Sequence, residues 1–545
     1  MSTMHLRISL PPRSSQPTAG AGVRPEEMDR WLANLPLINV AETTLHLSHQ
    51  LIGLNRTTLD DRQRLRLLES MRVPVQHITR ELRKTYIGLP LPLTDKGKQV
   101  SAQVKLLATE MAYGYKLIIF NSTALANIEK ADRHVLSVSL HRAVRYLTDI
   151  LFLGYELYNP PPEGTWHEIH QLYRYAEMLS ITDTALDDRL NDTVPNVSVA
   201  AAYKQALLLD FSDPYHLPSR MLAQIYRYLN RYAPLAQLSP GISALKTHCQ
   251  FLLNLDNDRA GAMNTDASPI TTEMRYRLLN TTELARHIHQ QLTQLQAGHT
   301  PVADSFEKDF FTRLGQDILY RLIQAWGVNP KRTFARTVCN KDCKADVAFG
   351  IAVINRCVNG EPFQQSSNEM GPPLRRTAIA ADNGPRAVKR PGSDPSTSQW
   401  EQTDESAGGY ALARSGAIPE PVRVGDLLSR RNTGSQGAWE IGVVRWARTS
   451  GADSIELGVQ RLSPMAAAVA IMPLDDSQDR YLLALSLPEV KPTKQPATLI
   501  SPRGFFKPNR ILYLDDGFRT RQIRAVKLIE LSGVFERFQY ESIQG

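Results

Sequence analysis

KRTFAR, residues 331–336, and DESAGG, residues 404–409, separate two kinds of sequence pattern. Before them apolar residues recur at intervals of three and four, and after them they alternate, which predicts helices first and strands second. Arg332 and Arg336 stand four apart just past the last helical pattern, which Gly327 and Pro330 close. Asp404, Ser406 and Gly409 stand where the alternating pattern begins. An arginine fork matches the O6/N7 edge of guanine and the free oxygens of phosphate, so two arginines on one short segment suit both parts of a guanine nucleotide. A carboxylate such as Asp404 accepts from the exocyclic amine of guanine, the Ser406 hydroxyl reaches base or phosphate, and a glycine lets backbone come close.

Arg332-x-x-x-Arg336 and Asp404-x-Ser406-x-x-Gly409 resemble the two hallmarks of the PilZ family, the bacterial cyclic di-GMP receptors: an RxxxR segment ahead of a six-stranded β-barrel and a [D/N]xSxxG segment on its surface. WEIGVVRW (439–446) followed by IELGVQRL (455–462) is similar to the family's later strands, which commonly end in a Gly-Val-x-Phe type element, with Arg461 here in place of the aromatic. The resemblance covers only the C-terminal portion. It implies cyclic di-GMP as the ligand, no cofactor, and Arg332, Arg336, Asp404, Ser406 and Gly409 as the binding residues. The 68 positions from Arg336 to Asp404 exceed the family's usual spacing and call for an insertion. Residues 360–399, rich in Pro, Ser, Asn and Gly and carrying Arg375, Arg376, Arg386, Lys389 and Arg390, read as a disordered loop of that kind. Arg386 and Arg390 form a second RxxxR inside it, nearer Asp404. A segment so rich in Pro and Gly fixes guanidinium geometry poorly, so Arg332 and Arg336 are preferred.

At 545 residues the chain is too long for one ordinary core. Its 42% hydrophobic and 22% charged residues are those of a soluble globular protein. The net charge of +8, spread over that length, is a mild bias toward anions and not the basic stripe of a committed nucleic-acid binder. The N-terminal residues have no apolar signal region and no later run has spanning length, so a cytoplasmic location is expected. Cys249, Cys339, Cys343 and Cys357 are too few for a disulfide framework and lack the histidines of a zinc site; they read as reduced thiols.

Taken in order, residues 1–23 read as a disordered leader. Residues 24–326 read as an all-α partner-binding domain. Its stripes are Leu65, Leu68, Met71, Val75, Ile78 and Leu82, with a kink expected at Pro74; Val104, Leu107, Met111, Tyr115 and Ile118; Met221, Ile225, Tyr228 and Tyr232; and Phe306, Phe310, Leu314, Ile318 and Leu322. Cys249 to Asn264 is the least helical part and reads as a loop or short strand that interrupts the helices. A barrel is expected over 327–486, with strands at Asp346 to Val358, Tyr410 to Ala413 and Val422 to Leu428 and a turn at Asn432 to Gly437, followed by a β-rich extension over 487–545. In that extension Asp515-Asp516-Gly517 marks a hairpin turn, and Arg519, Arg521 and Arg524 make the hairpin basic.

HEIH (167–170) falls short of the HExxH zinc motif, and phosphate-loop, nucleophile-elbow and Rossmann signatures do not occur. The chain therefore reads as a non-enzymatic α+β protein: an N-terminal helical domain followed by a PilZ-like antiparallel β-barrel with a β-rich extension. In this reading cyclic di-GMP reorients the helical domain toward an unidentified protein partner. A scaffold that no longer binds nucleotide, and a nonspecific nucleic-acid binder, are the alternatives.

Overall fold

Capping side chains start the long helices: Asp60 accepts from the amides of Arg62 and Gln63, Thr94 from Gly97, and Ser198 from Ala201. The computed structural model describes residues 6–11, 24–123, 130–191, 194, 196–241, 249–263, 273–299, 310–311, 315–327, 335–339, 343–366, 397–416, 418, 420–449, 454–474, 481–489 and 496–543. The chain forms two units, Met1–Leu89 with Leu93–Lys331, and Pro90–Pro92 with Arg332–Gly545.

The first unit carries α1 (Pro25–Ala33), α2 (Val40–Arg56), α3 (Asp61–Lys84), α4 (Asp95–Ser122), α5 (Lys130–Glu156), α6 (Thr165–Met178), α7 (Val199–Asp210), α8 (Ser219–Tyr232), α9 (Thr282–Gln296) and α10 (Gly315–Gly327). The stripes lie where periodicity puts them: Leu68, Met71, Val75, Ile78 and Leu82 of α3 and Val104, Leu107, Met111, Tyr115 and Ile118 of α4 are buried in one core. Pro74 is buried within α3, which runs from Asp61 to Lys84 across it. Phe306 and Leu314 lie outside the described residues. No helix among the described residues is long and apolar enough to cross a membrane.

Two expectations for this unit need correction. It is not purely α, because β1 (Leu186–Asp187) pairs with β2 (Asn196–Val197), and β3 (Gln237–Pro240), β4 (Gln250–Asn254), β5 (Ala262–Met263) and β6 (Tyr276–Asn280) form a sheet in the order β3-β6-β4-β5. That sheet holds the stretch read as least helical. Nor is the whole leader disordered. Leu6 and Ile8 pack on the helical core, the Ser9 amide donates to Glu168 Oε1 (2.7 Å), and the buried Lys116 ammonium joins Ser9 Oγ (2.8 Å) to Glu168 Oε2 (2.7 Å). A buried ammonium needs acceptors on several sides, and the leader supplies one. The rest of residues 1–23 lies outside the described residues.

The second unit is built of two antiparallel sheets. Its first contains β7 (Thr337–Val338), β8 (Lys344–Phe349), β9 (Ser398–Ser406), β10 (Gly409–Ser415), β11 (Leu427–Asn432), β12 (Glu440–Thr449) and β13 (Ser454–Ser463). Their order is β10-β13-β12-β11-β8-β9-β7, and β9 also pairs with β10, which closes a ring of six strands with β7 added outside. The second is a closed barrel, β14-β15-β16-β19-β18-β17, of β14 (Ala467–Pro473), β15 (Leu482–Leu487), β16 (Thr498–Pro502), β17 (Ile511–Asp515), β18 (Thr520–Leu531) and β19 (Phe535–Ser542).

The expected division after residue 486 cuts β15 and so falls inside the second barrel. The expected strand over Asp346 to Val358 ends at Phe349. Gly350, at φ 81°, breaks it, and Ile351–Asn359 forms α11, stopped by Gly360 at φ 83°. The Asn355 side chain donates to Val469 O (3.1 Å) and Ala484 O (2.8 Å), tying α11 to β14 and β15. Of the stretch Val422 to Leu428, only Leu427 and Leu428 lie in a strand, which runs on to Asn432. Ser398 and Gln399, placed in the insertion, begin β9, while residues 367–396 of it lie outside the described residues.

Candidate ligand site on the first barrel

The serine motif is built by a hairpin. Ser406 and Gly409 pair across the two-residue turn Ala407–Gly408, and Ser406 Oγ donates to Gly409 O (3.1 Å). A Cβ at Gly409 would lie 2.0 Å from the Val459 carbonyl oxygen on β13, so only glycine allows β10 and β13 to pair there. The register of β9 against β10 shifts between Ala411 and Leu412, which face Asp404 and Gln402, and Thr403 is the extra residue of a bulge. The bulge re-aims the strand end: Gln402 and Glu405, three apart, bond to each other (2.9 Å), while Asp404 faces the segment that carries Arg336.

The arginine segment arrives at the same strand. Thr337 pairs with Glu405 and Val338 with Asp404, and Arg336 Nη1 donates to Asp404 Oδ2 at 2.8 Å. The side chains are 42% and 20% exposed, so this is a solvent-facing pair. Four of the five expected site residues, Arg336, Asp404, Ser406 and Gly409, thus meet at one end of the barrel; Arg332 lies outside the described residues, as do Arg386 and Arg390.

Beneath the hairpin lies a charge cluster that the motif reading missed. Arg461 donates to Glu405 Oε1 (2.6 Å), to Glu440 Oε1 (2.5 Å), and to the carbonyls of Ser406 and Ala407 (both 3.3 Å). Arg430 bonds the Gln402 side-chain oxygen, lies 3.3 Å from both Glu405 and Glu440, and covers the Tyr410 ring at 4.4 Å. Burial works against the charge of Arg461, but the bonds to Glu440 and Glu405 outweigh it and raise its pKa. Burial likewise favours the neutral form of Glu405, yet the bonds from Arg461 and Gln402 and the Arg430 charge hold its pKa below the usual glutamate value. Burial raises the Tyr410 pKa, so its phenol stays neutral. The one signal in the sequence was Arg461 standing where an aromatic was expected.

HEIH has a structural explanation. His170 is buried between the Tyr203 hydroxyl (2.7 Å) and Arg259 O (2.9 Å), and burial pushes its pKa down to about 4. Among the described residues no group of three or more His, Cys, Asp or Glu is placed to hold a metal, and all four cysteines are free.

Residues 374–468 match the family model described as the middle PilZ domain of the cyclic-di-GMP receptor FimW. The first barrel is a PilZ domain. Residues 26–242 match the N-terminal domain of the same receptor and residues 467–543 its C-terminal β-barrel domain, so the helical unit and the second barrel have counterparts beside the PilZ barrel. The chain is similar over 99% of its length, at 25% identity, to the cyclic-di-GMP receptor FimW of Pseudomonas aeruginosa, 94% of which is covered. No solved structure matches.

Proposed function

We propose that this chain is a cyclic di-GMP receptor whose ligand lies on the PilZ barrel between the arginine segment and the serine hairpin. Arg332 and Arg336 take the guanine edge and phosphate, Asp404 accepts from the exocyclic amine, Ser406 reaches base or phosphate, and Gly409 leaves the backbone open. The observation that carries the reading is the convergence of Arg336 and Asp404 beside a hairpin with no room for a Cβ. The similarity to a protein named as a cyclic-di-GMP receptor supports the ligand class. Ordering the arginine segment on the barrel then shifts the helical domain toward a state that engages a protein partner, provided that the ligand prefers that state.

A second arginine pair stays in play for one reason: the range 374–468 matched by the PilZ model contains Arg386 and Arg390 and not Arg332 and Arg336. The experiment is calorimetric titration of cyclic di-GMP into the full chain, with GTP and cyclic di-AMP as controls. The expected result is saturable, guanine-specific binding that Arg336→Ala and Asp404→Ala abolish and the double variant Arg386→Ala/Arg390→Ala leaves intact. Loss in that double variant alone would move the arginine role into the insertion. No binding at all would leave the barrel as a scaffold, and binding that collapses with salt and ignores guanine would make it a nucleic-acid surface.

A further inference from the structure

The first unit encloses a cavity of about 560 Å³ among α3, α4, α5, α7 and α8. That is the size of a pocket for a small organic molecule. Its wall is unusual in charge. Among the described residues Arg72, Arg80 and Arg83 of α3, Arg142 and Arg145 of α5 and Arg227 of α8 line it, against Asp149, Glu156 and Asp188. Glu69, which braces Arg72 (2.9 Å) and Arg142 (3.3 Å), adds a fourth carboxylate and leaves the cations in excess. His141, also in the wall, does not add charge, because burial and the neighbouring arginines push its pKa well down.

The cations divide by partner. Arg72 and Arg142 share Asp188 (2.8 Å each), and Arg83 holds Glu156 (2.6 Å), so these are neutralised where they stand. Arg145 is not. Its guanidinium bonds the side-chain oxygens of Gln205 and Asn230 (2.9 Å to the latter) and lies 5.1 Å from the Tyr226 ring centroid, with no carboxylate at ion-pair distance among the described residues. Arg72 Nε is buried with no acceptor among the described residues. A half-buried guanidinium held by neutral amides and a donor left without an acceptor are costly unless an anion completes them. The rest of the wall is suited to an organic body: Phe152 and Tyr226 are stacked at 4.3 Å, beside Val75, Val104 and Leu153.

We propose that this cavity binds a phosphate-bearing organic anion of nucleotide size, with Arg145 as its principal charge partner and the exposed Arg80 contacting it as well. The site is separate from the PilZ hairpin, and the proposal does not depend on what that hairpin binds. Its test uses the full chain carrying Arg336→Ala, Asp404→Ala, Arg386→Ala and Arg390→Ala together, which disables both arginine pairs considered for the barrel site, with methylanthraniloyl-ADP followed by fluorescence anisotropy and inorganic pyrophosphate as competitor. Saturable binding that pyrophosphate displaces is expected, weakened about tenfold or more by Arg145→Gln, as loss of one charge-assisted contact implies. Arg80→Ala, at an exposed position where folding is not at stake, is expected to weaken it too and to flatten its salt dependence. Absence of saturable binding, or binding that neither substitution changes, overturns the proposal.

Discussion

Replacing Arg461 by methionine keeps the length of the side chain and removes its charge. In the folded barrel that substitution strips Glu405 and Glu440 of their shortest bonds, at 2.6 and 2.5 Å, and leaves Arg430, at 3.3 Å, as the cation beside both, with Gln402 still bonded to Glu405 at 2.9 Å. Arg461 is 24% exposed and Glu440 15%, so the cost lies between the small value of a surface pair and the 3–5 kcal/mol of a fully buried one, at about 2–3 kcal/mol. For a unit of this size that lowers the unfolding temperature by roughly 4–12 °C. Calorimetry on the full chain, with the barrel transition assigned by the shift itself, measures it. The double substitution with Glu440→Gln should recover part of the loss, because the stranded carboxylate goes too. The same cluster sets a pH dependence. Glu405 has a lowered folded pKa, so its contribution is present above the ordinary glutamate value of 4.5 and is lost as pH falls below it. In the Arg461→Met protein that acid-side loss should shrink. A transition within 1 °C of wild type and an unchanged acid slope would show that the cluster is a solvated surface and that the hairpin needs no support from below.

Two further outcomes follow from the geometry. Gly409→Ala puts a Cβ 2.0 Å from backbone on β13, which no rotamer relieves, so the barrel should lose about 1–3 kcal/mol in denaturant unfolding, and ligand binding should fall with it. His170 is kept neutral by burial with a pKa of about 4, against 6.5 when exposed, so the helical unit should lose up to about 3 kcal/mol as pH falls from 6.5 toward 4. Asp210, pushed up to about 6 by burial, acts in the opposite direction between 3.8 and 6. The measurement is therefore the difference in denaturant midpoint between wild type and His170→Asn across that range, and a flat difference would refute it.

The order helices, then a PilZ barrel, then more strands was legible because it rests on local periodicity and two short motifs. What escaped depends on residues far apart in the chain. Ile351 to Val358 looks like a strand by its β-branched content, but Gly350 and Gly360 at positive φ frame a helix, and Asn355 reaches carbonyls of two strands more than a hundred positions later. Ala467–Pro473 falls inside the single barrel expected over 327–486, although it is β14 of a second, closed barrel whose remaining strands extend to Ser542. Arg461 bonds Glu405 from 56 positions away, through a register that no single-sequence pattern specifies. The packed leader residues escaped for the same reason, since their polar anchors are Lys116 on α4 and Glu168 on α6, each more than a hundred positions away.

The two arginines at the hairpin therefore do different work. Arg461 is held from several sides and binds the carbonyls of the turn, so it fixes where Ser406 stands. Arg336 has one carboxylate partner among the described residues and is 42% exposed, and opening an ion pair of that kind costs about 0–1 kcal/mol. In the proposed receptor that distinction matters. An arginine that must leave Asp404 to embrace a ligand can be held only weakly beforehand, since each 1.4 kcal/mol of holding energy reduces the affinity tenfold. The hairpin it closes on must be stiff, because geometry lost there is lost for every contact the ligand makes. A rigid platform set by Arg461 and a loosely tethered arm carrying Arg336 meet both requirements, and they explain why the residue that replaced an expected aromatic belongs to the platform and not to the arm.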